Sequence, residues 1–242
     1  MSLLRLVLVV VPAVVLTAAV GAWQLSRHPP PRLDVAPSLV ATAATLTVPV
    51  PAAAPRLEAG GQATVSRAWV ARTSRATGIP APALRAYGAA SLLVAGADPG
   101  CHLGWTTLAG IGWVESHHGT IGGRRLRADG TSSRPIFGPV LDGAGDVAAI
   151  PGAGGRWERA GGAMQFLPAS WARWTSDGDG DGVPDRQDID DAAYAAARYL
   201  CASGADLTTG PAWTSAIRSY NHSDAYVLAV HDVAEAYAAR SG

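Results

Sequence analysis

The sequence predicts a mainly α-helical domain, and three observations support this class. Apolar residues recur at three- and four-residue spacing through segments after residue 63, which is the period of a helix with one buried face. These segments are rich in helix formers such as Ala and Leu. Capping signals also flank two of them, with Pro80 and Pro82 at the second and Ser223 before the last. The predicted helices are residues 64–77, 81–93, 105–116, 169–175, 190–203, 212–219 and 223–239.

Composition limits the function classes. The chain has 242 residues, enough for one sizeable domain with additional segments. Its formal net charge is zero and only 16% of its residues are charged, so nothing indicates an electrostatic surface for nucleic acid. A neutral chain rich in Trp and Ala suits an uncharged or weakly charged polar ligand. We expect no nucleic-acid partner and no organic cofactor.

Residues 1–27 are predicted to be a targeting segment. The run from Leu6 to Leu25 is almost wholly apolar and is flanked by Arg5 and Arg27, which fits either a cleaved export signal or a single membrane anchor. About twenty apolar residues is long for a cleaved signal, so we favour the anchor. Both alternatives deliver the rest of the chain to the outer face of the cytoplasmic membrane or to the cell wall.

The rest of the chain divides into a linker and one domain. Residues 28–63 are rich in Pro and Ala, which predicts an extended linker, and the folded domain then covers residues 64–242. Within the domain, residues 120–159 are rich in Gly, Arg, Asp and Pro and show no lasting period. We predict a long irregular insertion there, with room for a short hairpin.

Glu115 is the candidate general acid. It follows Leu108 by seven residues and Ile111 by four, which places its carboxyl group on the apolar face of the third predicted helix. Burial raises the pKa of a carboxyl group because the charged form loses its hydration, and this makes a proton donor near neutral pH. The alternative is a Glu at the helix end that points back to solvent.

The chain has two cysteines, Cys101 and Cys201. In an exported domain they are expected to form one disulfide, which would close a loop of roughly a hundred residues. Two buried free thiols are the alternative.

The run from Asp177 to Asp188 matches a calcium-binding loop. Such a loop places oxygen ligands at positions one, three, five, seven, nine and twelve, with Gly at position six for the sharp turn. Gly182 stands at position six here, and Asp188 replaces the usual Glu at position twelve. We predict a structural Ca²⁺ site, and a solvated acidic turn is the alternative. The predicted ligands are Asp177, Asp179, Asp181, the carbonyl group of Val183, Asp185 and Asp188.

Four motifs occur in series and together point to a family. They are GIGWVES at 110–116, GAMQFLP at 162–168, the calcium loop, and SYNHSDAY at 219–226. In this order they resemble the lytic murein transglycosylases, specifically the membrane-bound type B family as it occurs in exported actinobacterial proteins. The resemblance covers roughly residues 65–239. It implies a goose-type lysozyme-like helical fold, an EF-hand-like calcium site and cleavage of the glycan strands of peptidoglycan.

The resemblance also implies roles for individual residues. Glu115 matches the sole catalytic acid of the family, and Ser116 matches the neighbour that orients the carboxyl group. The remaining implied substrate-binding residues are Met164, Gln165 and Phe166, which shape the cleft, and Tyr220 and Asn221, which lie beside the acid. The Tyr220 hydroxyl group is expected to hydrogen-bond the Glu115 carboxyl group, whereas Met164 and Phe166 could equally be ordinary core residues.

The reaction follows from there being one acid where most glycosidases need two. No second carboxylate stands in a comparable motif, so the substrate must supply the nucleophile. Glu115 would protonate the bond between N-acetylmuramic acid and N-acetylglucosamine, and its carboxylate would then deprotonate the muramyl C6 hydroxyl group, which closes a 1,6-anhydro ring. A hydrolytic muramidase and a catalytically silent cell-wall binding module are the alternatives. Protein partners are not identified by any feature of the sequence.

Overall fold

The predicted helices are all present in the computed structural model, which describes residues 46–50, 54–55, 65–145 and 148–241. Within this described part they are α1 (Arg67–Thr77), α2 (Ala81–Ala97), α3 (Trp105–Ser116), α4 (Pro168–Trp174), α5 (Ile189–Cys201), α6 (Gly210–Tyr220) and α7 (Asp224–Arg240). The same residues form isolated β-bridges but no strand. The mainly α class is therefore confirmed.

The predicted targeting segment, residues 1–27, lies outside the described residues, as does most of the predicted linker at 28–63. All described residues belong to one compact unit of the chain. None of the helices in this part is both long enough and apolar enough to cross a bilayer.

Helix α3 lies at the centre of the core, and two glycines let its neighbours approach closely. Its residues from Trp105 to Gly112 are all buried. A Cβ atom at Gly110 would lie 2.7 Å from the Val230 carbonyl oxygen of α7, and one at Gly112 would overlap the Tyr87 hydroxyl group of α2. Small residues at these two positions therefore allow α2 and α7 to pack on α3 and fix the end of α3 that carries Glu115.

Local capping sets where the surrounding helices begin and end. The Ser66 hydroxyl group accepts a hydrogen bond from the Trp69 amide and begins α1, and Gly78 ends α1 in the left-handed region. Ser223 caps α7 in the same way by accepting from the Tyr226 amide. The cap that the sequence predicts at Ser223 is thus confirmed.

The insertion at 120–159 has the irregular conformation that its composition predicts. Its described residues contain two single 3₁₀ turns, at Ile121–Gly123 and Ala153–Gly155. Isolated antiparallel bridges and an arginine side chain hold it together: Arg124 donates to the carbonyl groups of Ile121, Arg134 and Pro135. Since guanidinium groups offer five donors in a fixed fork, one side chain can hold several turns of this segment together.

The described residues 46–50 lie within the predicted linker yet pack against the domain. Leu46 and Val48 contact the hydrophobic core, and Pro49 is buried. The Thr47 carbonyl oxygen lies 2.8 Å from His231 Nε2 of α7, and the Pro49 carbonyl group accepts a hydrogen bond from the Thr106 hydroxyl group of α3. We call residues 46–50 the strap. It joins the linker to the two helices that carry the candidate acid and its partner.

Cys101 and Cys201 form the predicted disulfide. Their Cα atoms are 5.5 Å apart, and both residues are buried. The bond joins the segment before α3 to the last residue of α5, so it connects two helices of the core that are remote in sequence. The prediction of a disulfide is confirmed.

Candidate active site

Glu115 lies in the last turn of α3 and is partly buried. The helix ends at the next residue, Ser116, and His117 then adopts the left-handed conformation with φ of 52°. The neighbouring His118 is buried and its two ring nitrogens lie 3.0 Å and 2.8 Å from the hydroxyl groups of Tyr87 and Tyr237. This buried polar network fixes the end of the helix, and with it the position of the Glu115 carboxyl group.

Tyr226 is the residue that holds the Glu115 carboxyl group. Its hydroxyl group donates a hydrogen bond of 2.6 Å to Glu115 Oε1. Tyr226 lies in the first turn of α7, directly after the Ser223 cap, and its ring is buried. The sequence assigned this contact to Tyr220, so the partner differs from the expectation by six positions.

Burial raises the pKa of Glu115 from its ordinary value to about 7. The hydrogen bond from Tyr226 acts in the opposite direction and is the smaller of the two effects. A carboxyl group with this pKa is half protonated near neutral pH, so it can donate a proton and afterwards accept one. The apolar position in the helix that the sequence indicates therefore has the expected electrostatic consequence.

Ser116 fastens the end of α3 to the segment 161–166. Its hydroxyl group donates to the Ala163 carbonyl group at 2.6 Å and accepts from the Gly119 amide at 2.8 Å. Both contacts are to backbone groups, and the side chain is fully buried. Ser116 therefore positions the loop beside Glu115, whereas the sequence assigned it to orienting the carboxyl group itself.

The segment around Gln165 has one accessible side chain between two buried ones. Met164 and Phe166 are 0% and 3% exposed, which places them in the core rather than on the cleft wall. Gln165 is partly exposed, with φ of 50°, and its amide nitrogen donates to the Gly162 carbonyl group at 2.8 Å. The left-handed backbone at Gln165 turns this amide away from the core that its neighbours fill.

Tyr220 and Asn221 end α6 beside the same segment. The Tyr220 hydroxyl group donates to the Met164 carbonyl group at 2.7 Å, one residue along from the carbonyl group that Ser116 holds. Tyr220 thus supports the segment rather than the acid. Asn221 is exposed and leaves its side-chain amide accessible at the end of the helix.

The acidic loop brings together a different set of carboxylates from the predicted one. Oxygen atoms of Asp177, Asp179 and Asp191 lie within 4.8 Å of one another. Asp191 closes the loop from α5, because its two oxygens accept hydrogen bonds from the amides of Gly178 at 2.6 Å and Asp185 at 2.7 Å. Carboxylate groups gathered by backbone amides in this way fit a hard divalent cation.

Asp188, the predicted twelfth ligand, instead caps α5. Its side chain accepts a hydrogen bond of 2.8 Å from the Asp190 amide. The side chains of Asp181 and Asp185 accept from the amides of Val183 and Gln187, each two residues further on. Such short-range bonds are typical of Asp in a tight turn.

Asp190 forms a second contact beside this loop. It is 4% exposed and forms an ion pair with Arg85 of α2, which also donates to the Ala128 carbonyl group of the insertion. One Arg therefore connects α2, α5 and the insertion next to the acidic loop.

The comparisons with known proteins agree with the sequence interpretation at the level of enzyme class. Residues 147–214 match the profile of the family described as "Transglycosylase SLT domain". A comparison with curated protein sequences gives no match. The family match supports the predicted enzyme class, a peptidoglycan lytic transglycosylase.

One solved structure is similar to this chain. It is the Escherichia coli lytic transglycosylase Slt35 in complex with bulgecin A, at 17% sequence identity and a TM-score of 0.43. The alignment covers 76% of this chain and 82% of that chain. A likeness of this size does not define residue correspondences.

Proposed function

We propose that this protein cleaves the bond between N-acetylmuramic acid and N-acetylglucosamine in peptidoglycan without water, and that Glu115 is its only catalytic acid. The observation that carries the proposal is the environment of the Glu115 carboxyl group. Burial raises its pKa to about 7, and the Tyr226 hydroxyl group donates a hydrogen bond to it. No other charged group of the described residues is among the causes of this pKa shift. A site with one acid and no paired carboxylate favours a reaction in which the substrate supplies the nucleophile.

The first step uses protonated Glu115 as the general acid. The carboxyl group transfers its proton to the glycosidic oxygen, the bond from that oxygen to the muramyl C1 breaks, and N-acetylglucosamine leaves with the electron pair. Positive charge develops on the muramyl ring as the carboxyl group becomes a carboxylate. The Tyr226 hydrogen bond strengthens at this moment because it then reaches a charged acceptor.

The second step uses the same group as the general base. The Glu115 carboxylate takes the proton of the muramyl C6 hydroxyl group while the C6 oxygen bonds to C1. The product is a 1,6-anhydro ring, and Glu115 returns to its protonated state. A pKa near the working pH serves both steps, because neither proton transfer is then strongly uphill.

Substrate binding is assigned to the accessible polar groups beside the acid. Gln165 and Asn221 are exposed or partly exposed amides, which suit the hydroxyl and N-acetyl groups of a sugar. The other residues implied by the resemblance contribute indirectly, by fixing the backbone beside the acid. Ser116 and Tyr220 do so through hydrogen bonds to carbonyl groups, and Met164 and Phe166 through packing in the core. In this arrangement the buried residues hold the backbone beside the acid, and the two amides contact the glycan.

The structural role of the acidic loop is a second part of the proposal. We infer that Asp177, Asp179 and Asp191 bind Ca²⁺, with Asp181, Asp185 and the Val183 carbonyl group as the further oxygen donors available in the loop. The bound cation would offset the repulsion among the clustered carboxylates and fix the loop against α5.

The proposal also covers location and subfamily. A protein that acts on peptidoglycan works outside the cytoplasm, and the apolar run between Leu6 and Leu25 is proposed as its membrane anchor. The order of the four sequence motifs favours the membrane-bound type B family.

The decisive experiment is mass spectrometry of the products released from purified peptidoglycan. The parent protein is expected to release muropeptides lighter by one water than the hydrolytic products. The Glu115→Gln variant is expected to lose at least a thousandfold in rate, because an amide cannot donate the proton. Glu235→Gln, an exposed change on α7, is the matched control and should retain full activity.

The other outcomes separate the alternatives. Products with reducing ends would overturn the anhydro-forming reaction in favour of a hydrolytic muramidase. If the parent and Glu115→Gln both bind the wall and neither releases products, the protein is a binding module.

A further inference from the structure

A cavity of about 510 Å³ lies between α4, α5 and α6, and Glu115 is not among its lining residues. It is in the size range of a site for a small molecule or a short peptide. Its described lining combines two aromatic rings, Trp174 and Tyr199, with four hydroxyl groups. The hydroxyl groups belong to Ser170, Ser203, Ser215 and Ser219.

Arg173 is the one charged residue among the described residues that line this cavity. Its guanidinium group lies 5.4 Å from the centre of the Trp174 ring, and it forms no ion pair or hydrogen bond with any described residue. The donors of this group are therefore available to a ligand. A guanidinium group stacked on an aromatic ring and lacking a carboxylate partner favours a carboxylate ligand.

The wall that carries Arg173 is held in place before any ligand arrives. Arg198 of α5 donates to the Thr175 carbonyl group at 3.0 Å and to the Ser176 hydroxyl group at 2.9 Å, just beyond the end of α4. The Trp174 and Tyr199 rings contact each other with centroids 5.6 Å apart. Preorganisation of this kind lowers the entropy cost of binding.

The cavity is connected to the active site through one layer of aromatic rings. Tyr199, on the cavity wall, packs against Tyr220 with ring centroids 5.5 Å apart. The Tyr220 hydroxyl group holds the Met164 carbonyl group, and Ser116 holds the adjacent carbonyl group of Ala163. One pair of packed tyrosine rings thus separates the cavity wall from the segment that lies beside Glu115.

We propose that this cavity binds the peptide stem of the glycan strand, with a free stem carboxylate on Arg173. The stem is joined to N-acetylmuramic acid, the sugar on which Glu115 acts, and it combines small apolar residues with free carboxylates. The aromatic wall suits the apolar residues, the serine hydroxyl groups suit the peptide amides, and Arg173 suits the carboxylate. This inference rests on the proposed function and adds the part of the substrate that sets its preference.

The test compares three substrates for the full-length protein. They are glycan strands with carboxylate stems, the same strands with the stem carboxylates converted to amides, and strands freed of peptide. The parent is expected to favour carboxylate stems over amidated stems about tenfold in kcat/KM, the size of one charge-assisted hydrogen bond. Arg173→Ala should reduce this ratio to near one. Arg72→Ala, an exposed change on α1, is the matched control and should keep the ratio.

A second variant and a binding measurement complete the test. Ser215→Phe fills the same cavity from α6 and should also abolish the preference. Calorimetric titration of the full-length parent with a free stem tetrapeptide should give binding that Arg173→Ala loses.

Each failure has a distinct meaning. Equal cleavage of carboxylate and amidated stems by the parent, or an undiminished preference in Arg173→Ala, overturns the inference. If the parent cleaves none of the three substrates, the proposed function fails, and the titration then decides the cavity assignment by itself: absence of tetrapeptide binding rejects it.

Discussion

Two carboxylate sites in this protein put the same chemical group to different uses. Glu115 receives one hydrogen bond, from a tyrosine hydroxyl group, in an apolar setting. In the acidic loop, Asp177 and Asp191 each accept two hydrogen bonds from backbone amides and lie close to a further carboxylate. Burial is the largest cause of a raised pKa in both sites, to about 7 for Glu115 and about 6 for Asp191.

The difference shows that burial alone does not define a catalytic acid. When a single buried carboxylate has only one neutral hydrogen-bond donor, a proton is the most favourable way to neutralise its negative charge. A group of carboxylates crowded against amide donors is best compensated by a cation. The number of neighbouring carboxylates and the kind of donor therefore distinguish an acid from a metal ligand, and the following changes test that distinction.

The largest effect is expected from removing Ca²⁺ or its closing ligand. A cation bound at about a hundred times its Kd adds about 2.7 kcal/mol to the free energy of unfolding. A chelator should therefore lower Tm by roughly 5–10 °C in a domain of this size. Asp191→Asn should abolish the Ca²⁺-dependent part of Tm, as measured by differential scanning calorimetry.

Asp188→Asn is the matched control for this loop. Asn also caps helices well, so stability should change little and the Ca²⁺ response should remain. If Asp188→Asn loses the Ca²⁺-dependent part of Tm and Asp191→Asn keeps it, the result would support the twelve-residue loop that the sequence predicts. A Tm that is insensitive to chelator in the parent would reject the cation site altogether.

The second largest effect is expected from the titration of Glu115, which makes the free energy of unfolding depend on pH. The pKa of Glu115 is higher in the folded protein than in the unfolded chain, so its stabilising contribution is complete below about 4.5 and is lost as pH rises through about 7. The Gln side chain of Glu115→Gln does not titrate. The free energy of unfolding of this variant, relative to that of the parent, should therefore be about 2 kcal/mol higher at pH 8 than at pH 5. Urea unfolding at both pH values measures this. A stability difference that does not change with pH, or one that Glu235→Gln reproduces, would contradict the prediction.

The smallest effect is expected from removing the donor on the acid. Tyr226→Phe should lower kcat about tenfold, equivalent to about 1.4 kcal/mol, because the carboxylate formed in the first step loses its hydrogen bond. That hydrogen bond lowers the pKa of Glu115. Its loss therefore raises the pKa further and should shift the alkaline limb of the pH–rate profile to higher pH. Tyr220→Phe should leave this limb in place, since the Tyr220 hydroxyl group contacts the Met164 carbonyl group. A shift in Tyr220→Phe and none in Tyr226→Phe would favour the partner that the sequence suggested.

The helices could be predicted from the sequence because each has a local signal. Apolar spacing, Ser223 and the prolines locate all seven helices in the described residues, and α3 has the predicted bounds of Trp105 and Ser116. The end of α1 at Thr77 and the start of α2 at Ala81 also match, and the remaining ends differ by one to four residues, since the final turn of a helix depends on tertiary contacts. The disulfide followed from the presence of two cysteines in a chain expected to be exported.

The partners within the sites could not be predicted in the same way. Tyr220 and Tyr226 both belong to the fourth motif, and only the packing of α7 on α3 decides which hydroxyl group reaches Glu115. Asp188 and Asp191 are both suitable acids at the end of the loop. A helix N-cap competes for Asp188, and this local hydrogen bond leaves the loop to close three residues further on. One feature of the sequence could have identified Tyr226 as the partner of Glu115: it lies in the first turn of the last predicted helix, directly after the Ser223 cap.

The strap attaches to the domain part of the segment that the sequence predicts to be a linker. If the chain is held in the membrane up to residue 27, the linker of 28–63 would at full extension allow an excursion of roughly 120 Å. Because residues 46–50 are fastened to α3 and α7, the spacer in such an anchored protein would be shortened to residues 28–45, which is roughly 60 Å at full extension. If the proposed anchor holds, docking of the strap would keep the enzyme in the layer of wall nearest the membrane, and release of the strap would about double its reach.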